Sequence, residues 1–293
     1  MSNYLQNSVD LNISLSGVFS NSHFESVINT QTSSFIDKKI AKYKDQFEIE
    51  SGLSRKDVLD LFYAYLLSSY RCEYVYKNSI TKKILLGRHS LNTSTLINEF
   101  RVGSSIADCV LINGSSTLYE IKTELDSPNR LMDQLIDYQK AFTTIYLVVH
   151  YSEIEKYQPV IENSSVGLLA LSKRFQLSVV KEALKDATHL DITTMFKSLR
   201  KKEYSNIILN AFGKVPDIPN MFYFRECLKL AQQMKALNFN KLMSQELKKR
   251  KPQEKHVLNS DKLPEYLTNI CLSIDPNVEE YERLFSFLNK KIT

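Results

Sequence analysis

The run Ile106-Ala107-Asp108-Cys109-Val110-Leu111-Ile112-Asn113-Gly114-Ser115-Ser116-Thr117-Leu118-Tyr119-Glu120-Ile121-Lys122-Thr123 decides the fold of this 293-residue chain. Two short apolar segments flank Asn113-Gly114-Ser115, and these are the residue types that close a hairpin. A third segment, at 96–102, precedes them across a second turn, Gly103-Ser104-Ser105. Strands are therefore expected at about 96–102, 106–112 and 117–123.

Upstream, Val58, Leu59, Phe62, Tyr65, Leu66 and Ser69 recur at helical spacing behind Ser54, a good N-cap, with Asp57 in the first turn. A helix is expected from 54 to about 76, closed by Tyr70-Arg71-Cys72-Glu73-Tyr74. Downstream, Ser127-Pro128 reads as the start of a helix running to about 142. Apolar strands follow at Thr144–His150 and Gly167–Leu171. The order of helix, three strands, helix, strand implies an α/β fold with a mixed sheet. After about 173 the chain reads as almost wholly helical, with Lys248-Lys249-Arg250-Lys251-Pro252 a basic break. Residues 1–32, rich in Ser and Asn, read as a loosely ordered arm, and 34–47 as a helix. The expected division is an N-terminal arm and helix at 1–53, an α/β domain at 54–173 and a helical C-terminal region at 174–293.

Charged residues interrupt the apolar strands at three places. Glu120 and Lys122 lie two apart, so they share one face of their strand. A three-residue loop at 113–115 puts Asp108 opposite Glu120, with Cβ atoms about 5 Å apart. Two carboxylates that close repel each other unless a cation joins them. Charge buried in a sheet is costly unless it is paired or metal-bound. A hard divalent cation such as Mg²⁺ suits an all-oxygen donor set. The same E-x-K spacing recurs at Glu246-Leu247-Lys248, but in a polar helical stretch without a partner acid, where it has no catalytic weight. On the helix that follows the third strand, Arg130, Gln134 and Tyr138 fall at i, i+4 and i+8, along one face.

Asp108, Glu120-Ile121-Lys122 and Gln134-Leu135-Ile136-Asp137-Tyr138 together resemble the PD-(D/E)XK nuclease superfamily, and the Q-x-x-x-Y element resembles its RecB-like branch. Tyr70-Arg71-Cys72-Glu73-Tyr74, Tyr119-Glu120-Ile121-Lys122 and the run from Asp126 to Leu131 are similar to small uncharacterised bacterial and phage members. The likeness covers about residues 55–172. Ala107 stands where the family pattern has Pro. The resemblance implies a restriction-endonuclease-like core. In it Asp108, Glu120 and the Ile121 carbonyl bind Mg²⁺ or Mn²⁺, and Glu73 is an accessory metal ligand, with Glu99 the alternative. Lys122 would activate the attacking water and stabilise negative charge. Gln134 and Tyr138 would position substrate or that water. The implied activity is Mg²⁺-dependent hydrolysis of phosphodiester bonds, with DNA the expected substrate and a phage or mobile element the expected setting. The alternative is a protein of the same fold that binds nucleic acid without cutting, or that acts only with a partner held by its C-terminal helices.

Composition sets the outer bounds. The formal net charge of +5 and pI near 8.8 permit a polyanionic partner without requiring one. The four cysteines form no CxxC knuckle and no secreted disulfide pattern, so a structural zinc site is not expected. The polar N-terminus has no signal core, and no apolar run approaches the roughly 20 residues that span a bilayer. A cytoplasmic protein with no membrane contact is expected.

Overall fold

The computed structural model describes residues 10–70, 72–86 and 91–293, with 84–86 described by backbone alone. Arg71 and residues 1–9 of the expected arm lie outside the described residues. The described part divides into two compact units, one made of the N-terminal stretch to Lys82 together with Pro252–Thr293, the other of Lys83–Lys251.

The first unit opens with a helical turn at 10–16 and then α1 (Asn21–Thr30), α2 (Ser34–Lys42), α3 (Arg55–Ser69) and α4 (Glu73–Ile80). Residues 10–32 are therefore packed helix rather than a loose arm. The apolar side chains of Leu15, Val18, Phe24 and Val27, spaced among the serines and asparagines, are fully buried. Ser54 caps α3 as expected. Its hydroxyl accepts from Asp57 N at 3.2 Å, and its own N–H donates to Asp57 Oδ2 at 2.8 Å. The single expected helix from 54 to 76 is two helices. Tyr70 is extended (φ −148°, ψ 97°), and Cys72 then starts α4. The serines at the end of α3 help to break it, since the Ser68 hydroxyl donates to the Tyr65 carbonyl at 2.9 Å.

The second unit is built on a six-stranded mixed sheet in sequential order: β1 (Thr95–Val102), β2 (Ser105–Asn113), β3 (Ser115–Lys122), β4 (Thr144–His150), β5 (Gly167–Leu171) and β6 (Leu177–Lys181). β1, β2 and β3 are antiparallel neighbours, β3, β4 and β5 run parallel, and β6 returns antiparallel along β5. The two parallel steps need crossovers, supplied by α5 (Leu131–Gln139) and α6 (Ile154–Ile161). After 173 the chain is mostly helical, as expected, and β6 is a strand within that stretch. Its half-buried ends and exposed middle are those of an edge strand.

Four helices complete this unit: α7 (Ile192–Lys197), α8 (Lys201–Phe212), α9 (Asn220–Ala231) and α10 (Ala236–Leu247). Met195, Phe196, Ile207, Phe239 and Met243 from these helices join Val110, Leu118, Leu135, Tyr138 and Leu147 in one buried cluster. That shared core is why no boundary falls at 173. The chain returns to the first unit at Pro252 with α11 (Lys255–Leu258), α12 (Thr268–Ile274) and α13 (Val278–Asn289). Lys291 bridges to Ser54 there, antiparallel, which ties the C-terminus to the start of α3 and removes the expected boundary at 53. No helix of the described residues is long and apolar enough to cross a membrane.

Candidate active site

β3 carries two charged side chains into the interior. Glu120 is 2% exposed and Lys122 9%. They share one strand face, and Lys122 Nζ donates to Glu120 Oε1 at 2.8 Å. A buried ion pair persists only when its remaining hydrogen-bonding capacity is used, and α5 supplies the partners. Its Gln134 and Tyr138, one turn apart, both face β3. Gln134 Nε2 donates to Glu120 Oε1 at 2.8 Å, and Gln134 Oε1 accepts from Lys122 Nζ at 2.9 Å. The Tyr138 hydroxyl lies 2.8 Å from Glu120 Oε2 and 2.8 Å from the Ile106 carbonyl oxygen. Four side chains from one strand and one helix thus form a closed network.

Asp108 reaches the same strand by another route. The antiparallel register runs from Asn113↔Ser115 to Cys109↔Tyr119. One step beyond, the Asp108 carboxylate takes the backbone N–H of Ile121, with Oδ2 at 2.7 Å. On the other side of β2, the pairs Asn98↔Cys109 and Phe100↔Ala107 bracket a break at Glu99 and Asp108. Glu99 has φ +53°, a left-handed conformation that costs a non-glycine residue about 1–2 kcal/mol. The sheet is therefore disturbed on both sides of Asp108.

Electrostatics follow from this packing. Burial disfavours the charge on Lys122, but Glu120, by charge and hydrogen bond, and then Asp108 and Asp126 outweigh it, so its pKa stands above the ordinary lysine value. Burial first, and then the neighbouring Glu120 charge, raise Tyr138 far above the ordinary phenol range, so it is a neutral donor. Asp137, beside Tyr138 on α5, clamps the β1–β2 turn. Its Oδ2 accepts from Ser104 N at 3.0 Å, Ser104 Oγ at 2.8 Å and Ser105 Oγ at 3.0 Å. Burial opposes its charge, but these bonds and Lys140 hold its pKa down at about 2. Gly103 has φ +60°, and a Cβ there would stand 2.8 Å from Asp137 Oδ1, so the clamp requires glycine.

The network opens on a polar cleft of about 690 Å³, where Lys122 and Gln134 form part of the wall beside Ser104, Ser105, Asp126 and Arg130. Arg130 is exposed and belongs to no ion pair of the described residues. Asp126 closes the end of β3, with Oδ2 accepting from Thr123 N at 2.7 Å and Thr123 Oγ1 at 2.8 Å.

Of the residues expected from sequence, Glu120, Lys122, Gln134 and Tyr138 come into direct contact, and Asp108 joins them through the Ile121 backbone. Glu73 belongs to the other unit, where it opens α4 and pairs with Lys77 at 2.7 Å. Among the described residues no group of three His, Cys, Asp or Glu side chains is placed to hold a metal. Asp108, Glu120 and the Ile121 carbonyl nonetheless offer oxygen donors alone. Glu120 Oε1 is taken by two donors and Oε2 by one, and each oxygen has two lone pairs. Mg²⁺ is commonly held by one or two carboxylates, with water and substrate phosphate filling its shell, so the donor set fits.

Sequence reasoning missed the Asp137 clamp, the Ile106 carbonyl and Asp126. It also missed His150, buried at the end of β4 with Nδ1 3.2 Å from Glu124 Oε1. Thr123-x-x-Asp126 carried a local turn signal. The others depend on contacts across the sheet. The basic run does not act as one patch. Lys249 pairs with Glu246, Arg250 makes two bonds to Glu203 at 2.6 and 2.7 Å, and Lys251 donates to the Asn92 carbonyl.

A family model described as Bacteriophage P4 protein cII matches residues 67–269, a span that includes the whole second unit. No curated protein matches the chain. Among solved structures, the SPO1766 protein of unknown function from Silicibacter pomeroyi is similar at 11% identity. The match covers 42% of this chain and 82% of that one, with a TM-score of 0.28.

Proposed function

This chain belongs to the bacteriophage P4 protein cII family, and we propose that it is a metal-dependent nuclease of the PD-(D/E)XK type that hydrolyses phosphodiester bonds, with DNA as the substrate. The family's description supports a phage or mobile-element setting. The observation that carries the reading is the buried Glu120–Lys122 pair, braced by Gln134 and Tyr138 and open at Lys122 to a polar cleft. An unbraced buried pair would be a liability. A braced one at a cleft wall is what electrostatic catalysis requires.

In this reading each residue has one task. Asp108 and Glu120, with the Ile121 carbonyl, would hold Mg²⁺ or Mn²⁺, which when bound supplies charge neutralisation at the phosphate and acidifies the attacking water. Lys122 keeps its proton and presents fixed positive charge where negative charge develops. Gln134 orients Lys122 and Glu120 relative to each other. Tyr138 donates to Glu120 and fixes its rotamer. Arg130, which lines the same cleft, would take a flanking phosphate.

A second reading is a nucleic-acid-binding protein of the same fold that does not cut. Glu120 engaged by three donors, and no third acid converging on it among the described residues, favour it. Incubation of the purified protein with linear, circular and single-stranded DNA, in Mg²⁺, Mn²⁺ or EDTA, separates the two. Metal-dependent strand loss supports the nuclease, whereas retained binding without cleavage on every substrate supports the binder.

A further inference from the structure

At the other end of β3 lies a second cavity, of about 400 Å³, formed by the β2–β3 turn and α10. Three lysines line it, Lys185, Lys241 and Lys248, together with the buried polar residues Ser116, Asn240 and Ser244, and no lining residue is acidic. None of the three lysines belongs to an ion pair of the described residues. This sets them apart from the cations around them. Lys249 is committed to Glu246 and Arg250 to Glu203. Lys248 alone of the basic run at 248–251 faces this cavity.

Three ammonium groups around one concavity repel each other, and the chain supplies no carboxylate there to relieve them. The polar groups between them are built in. The Ser244 hydroxyl donates to the Asn240 carbonyl at 3.0 Å and lies 3.3 Å from Ser116 Oγ, so the two hydroxyls and the helix backbone form one short chain of hydrogen bonds in the cavity wall. Asn240 Nδ2 is anchored on the Ala141 carbonyl at 2.7 Å, which fixes its side chain at the cavity wall. Three point-charge donors around one concavity match a phosphate group, which carries up to two charges and several acceptor oxygens. The volume falls in the range of small-molecule sites.

We propose that this cavity is a binding site for a phosphate-bearing anion. Lys122 lies six steps along β3 from Ser116, roughly 20 Å of extended strand. The site is thus distinct from the carboxylate end of the sheet, and the proposal stands whether or not that end cuts DNA. The phosphate has two sources, a free phosphorylated small molecule or the backbone of a nucleic acid, and both present the same group to the same lysines.

Isothermal titration of the full chain with inorganic pyrophosphate, and separately with a single-stranded 12-mer oligonucleotide, tests this at fixed ionic strength without divalent metal. Saturable binding of either probe is expected, and the triple change Lys185→Gln, Lys241→Gln, Lys248→Gln should weaken it by about a hundredfold, at roughly fivefold per charge. Pyrophosphate alone binding in this way assigns the site to a free anion. The oligonucleotide alone doing so assigns it to a nucleic-acid backbone. Should the triple variant fail to give a wild-type circular dichroism spectrum, Lys241→Glu is the substitute, since this exposed side chain contributes no core packing. No saturable binding of either probe, or equal affinity in wild type and folded variant, overturns the proposal.

Discussion

The Tyr138 hydroxyl stands 2.8 Å from both Glu120 Oε2 and the Ile106 carbonyl oxygen, so one group on α5 ties a side chain of β3 to the backbone of β2. Removing it with Tyr138→Phe keeps the buried ring but takes away the one proton that these two acceptors share. Stability should fall by about 1–2 kcal/mol, as for a buried hydrogen bond whose partners cannot reach water. The readout is the urea midpoint at constant m-value. An unchanged midpoint would mean the hydroxyl bears no part of this tie.

Asp137 gives the fold an acid-sensitive joint. Its folded pKa, about 2, lies below the ordinary value of 3.8. A depressed carboxyl contributes stability that is present above the unfolded pKa and lost as pH falls through the folded one. Wild type should therefore lose stability between about pH 4 and pH 2 through this group, while Asp137→Ala, less stable at pH 7, should show a flatter acid limb. Denaturation midpoints across pH 2–7 measure it, and parallel curves for the two proteins would remove Asp137 as the cause.

Divalent metal should stabilise the protein by mass action. At 100 times Kd the gain is about 2.7 kcal/mol, read as a rise in Tm with Mg²⁺ or Mn²⁺. The double change Asp108→Ala, Glu120→Ala should abolish the rise. Equal metal binding by wild type and double variant would show that these oxygens are not the ligands.

Arg250 is held by Glu203 through two hydrogen bonds and lies over the Phe100 ring, 5.4 Å from its centroid. Arg250→Ala should cost roughly 1.5–3 kcal/mol of stability, the range for charged hydrogen bonds, and leave the salt dependence of DNA binding unchanged. A flattened salt slope in a folded Arg250→Ala protein would return this residue to a phosphate-contact role.

Much of this architecture was legible in the sequence because it rests on local signals. The alternation through 96–123 gave three strands with boundaries within two residues of those observed, and Ser127-Pro128 marked the entry to α5. The i, i+4 spacing of Gln134 and Tyr138 already put them on one face, which the structure turns toward Glu120. Other features were hidden for physical reasons. The burial of residues 10–32 depends on apolar side chains dispersed among serines and asparagines, whose composition suggested a loose arm. The boundary at Lys82 and the return at Pro252 rest on contacts between residues far apart in sequence, such as Ser54 with Lys291. A charge run looks alike in sequence whether its members face solvent or carboxylates, so the pairing of Lys249 and Arg250 was invisible. The break at Glu99 carried no sequence signal, since nothing about a glutamate announces a left-handed backbone.

The nuclease reading stands most directly on Lys122. Its ammonium is 2.8 Å from Glu120 and 2.9 Å from Gln134 and faces the cleft. Lys122→Ala removes that charge from where the transition state becomes negative, and losing one such group costs about 10²–10³ in rate. The measurement is plasmid nicking in Mg²⁺ by wild type and Lys122→Ala at matched concentration, with circular dichroism to establish folding. The account predicts a folded variant that binds DNA as the wild type does and nicks it at least about a hundredfold more slowly. A folded Lys122→Ala that nicks as fast as an active wild type would contradict it.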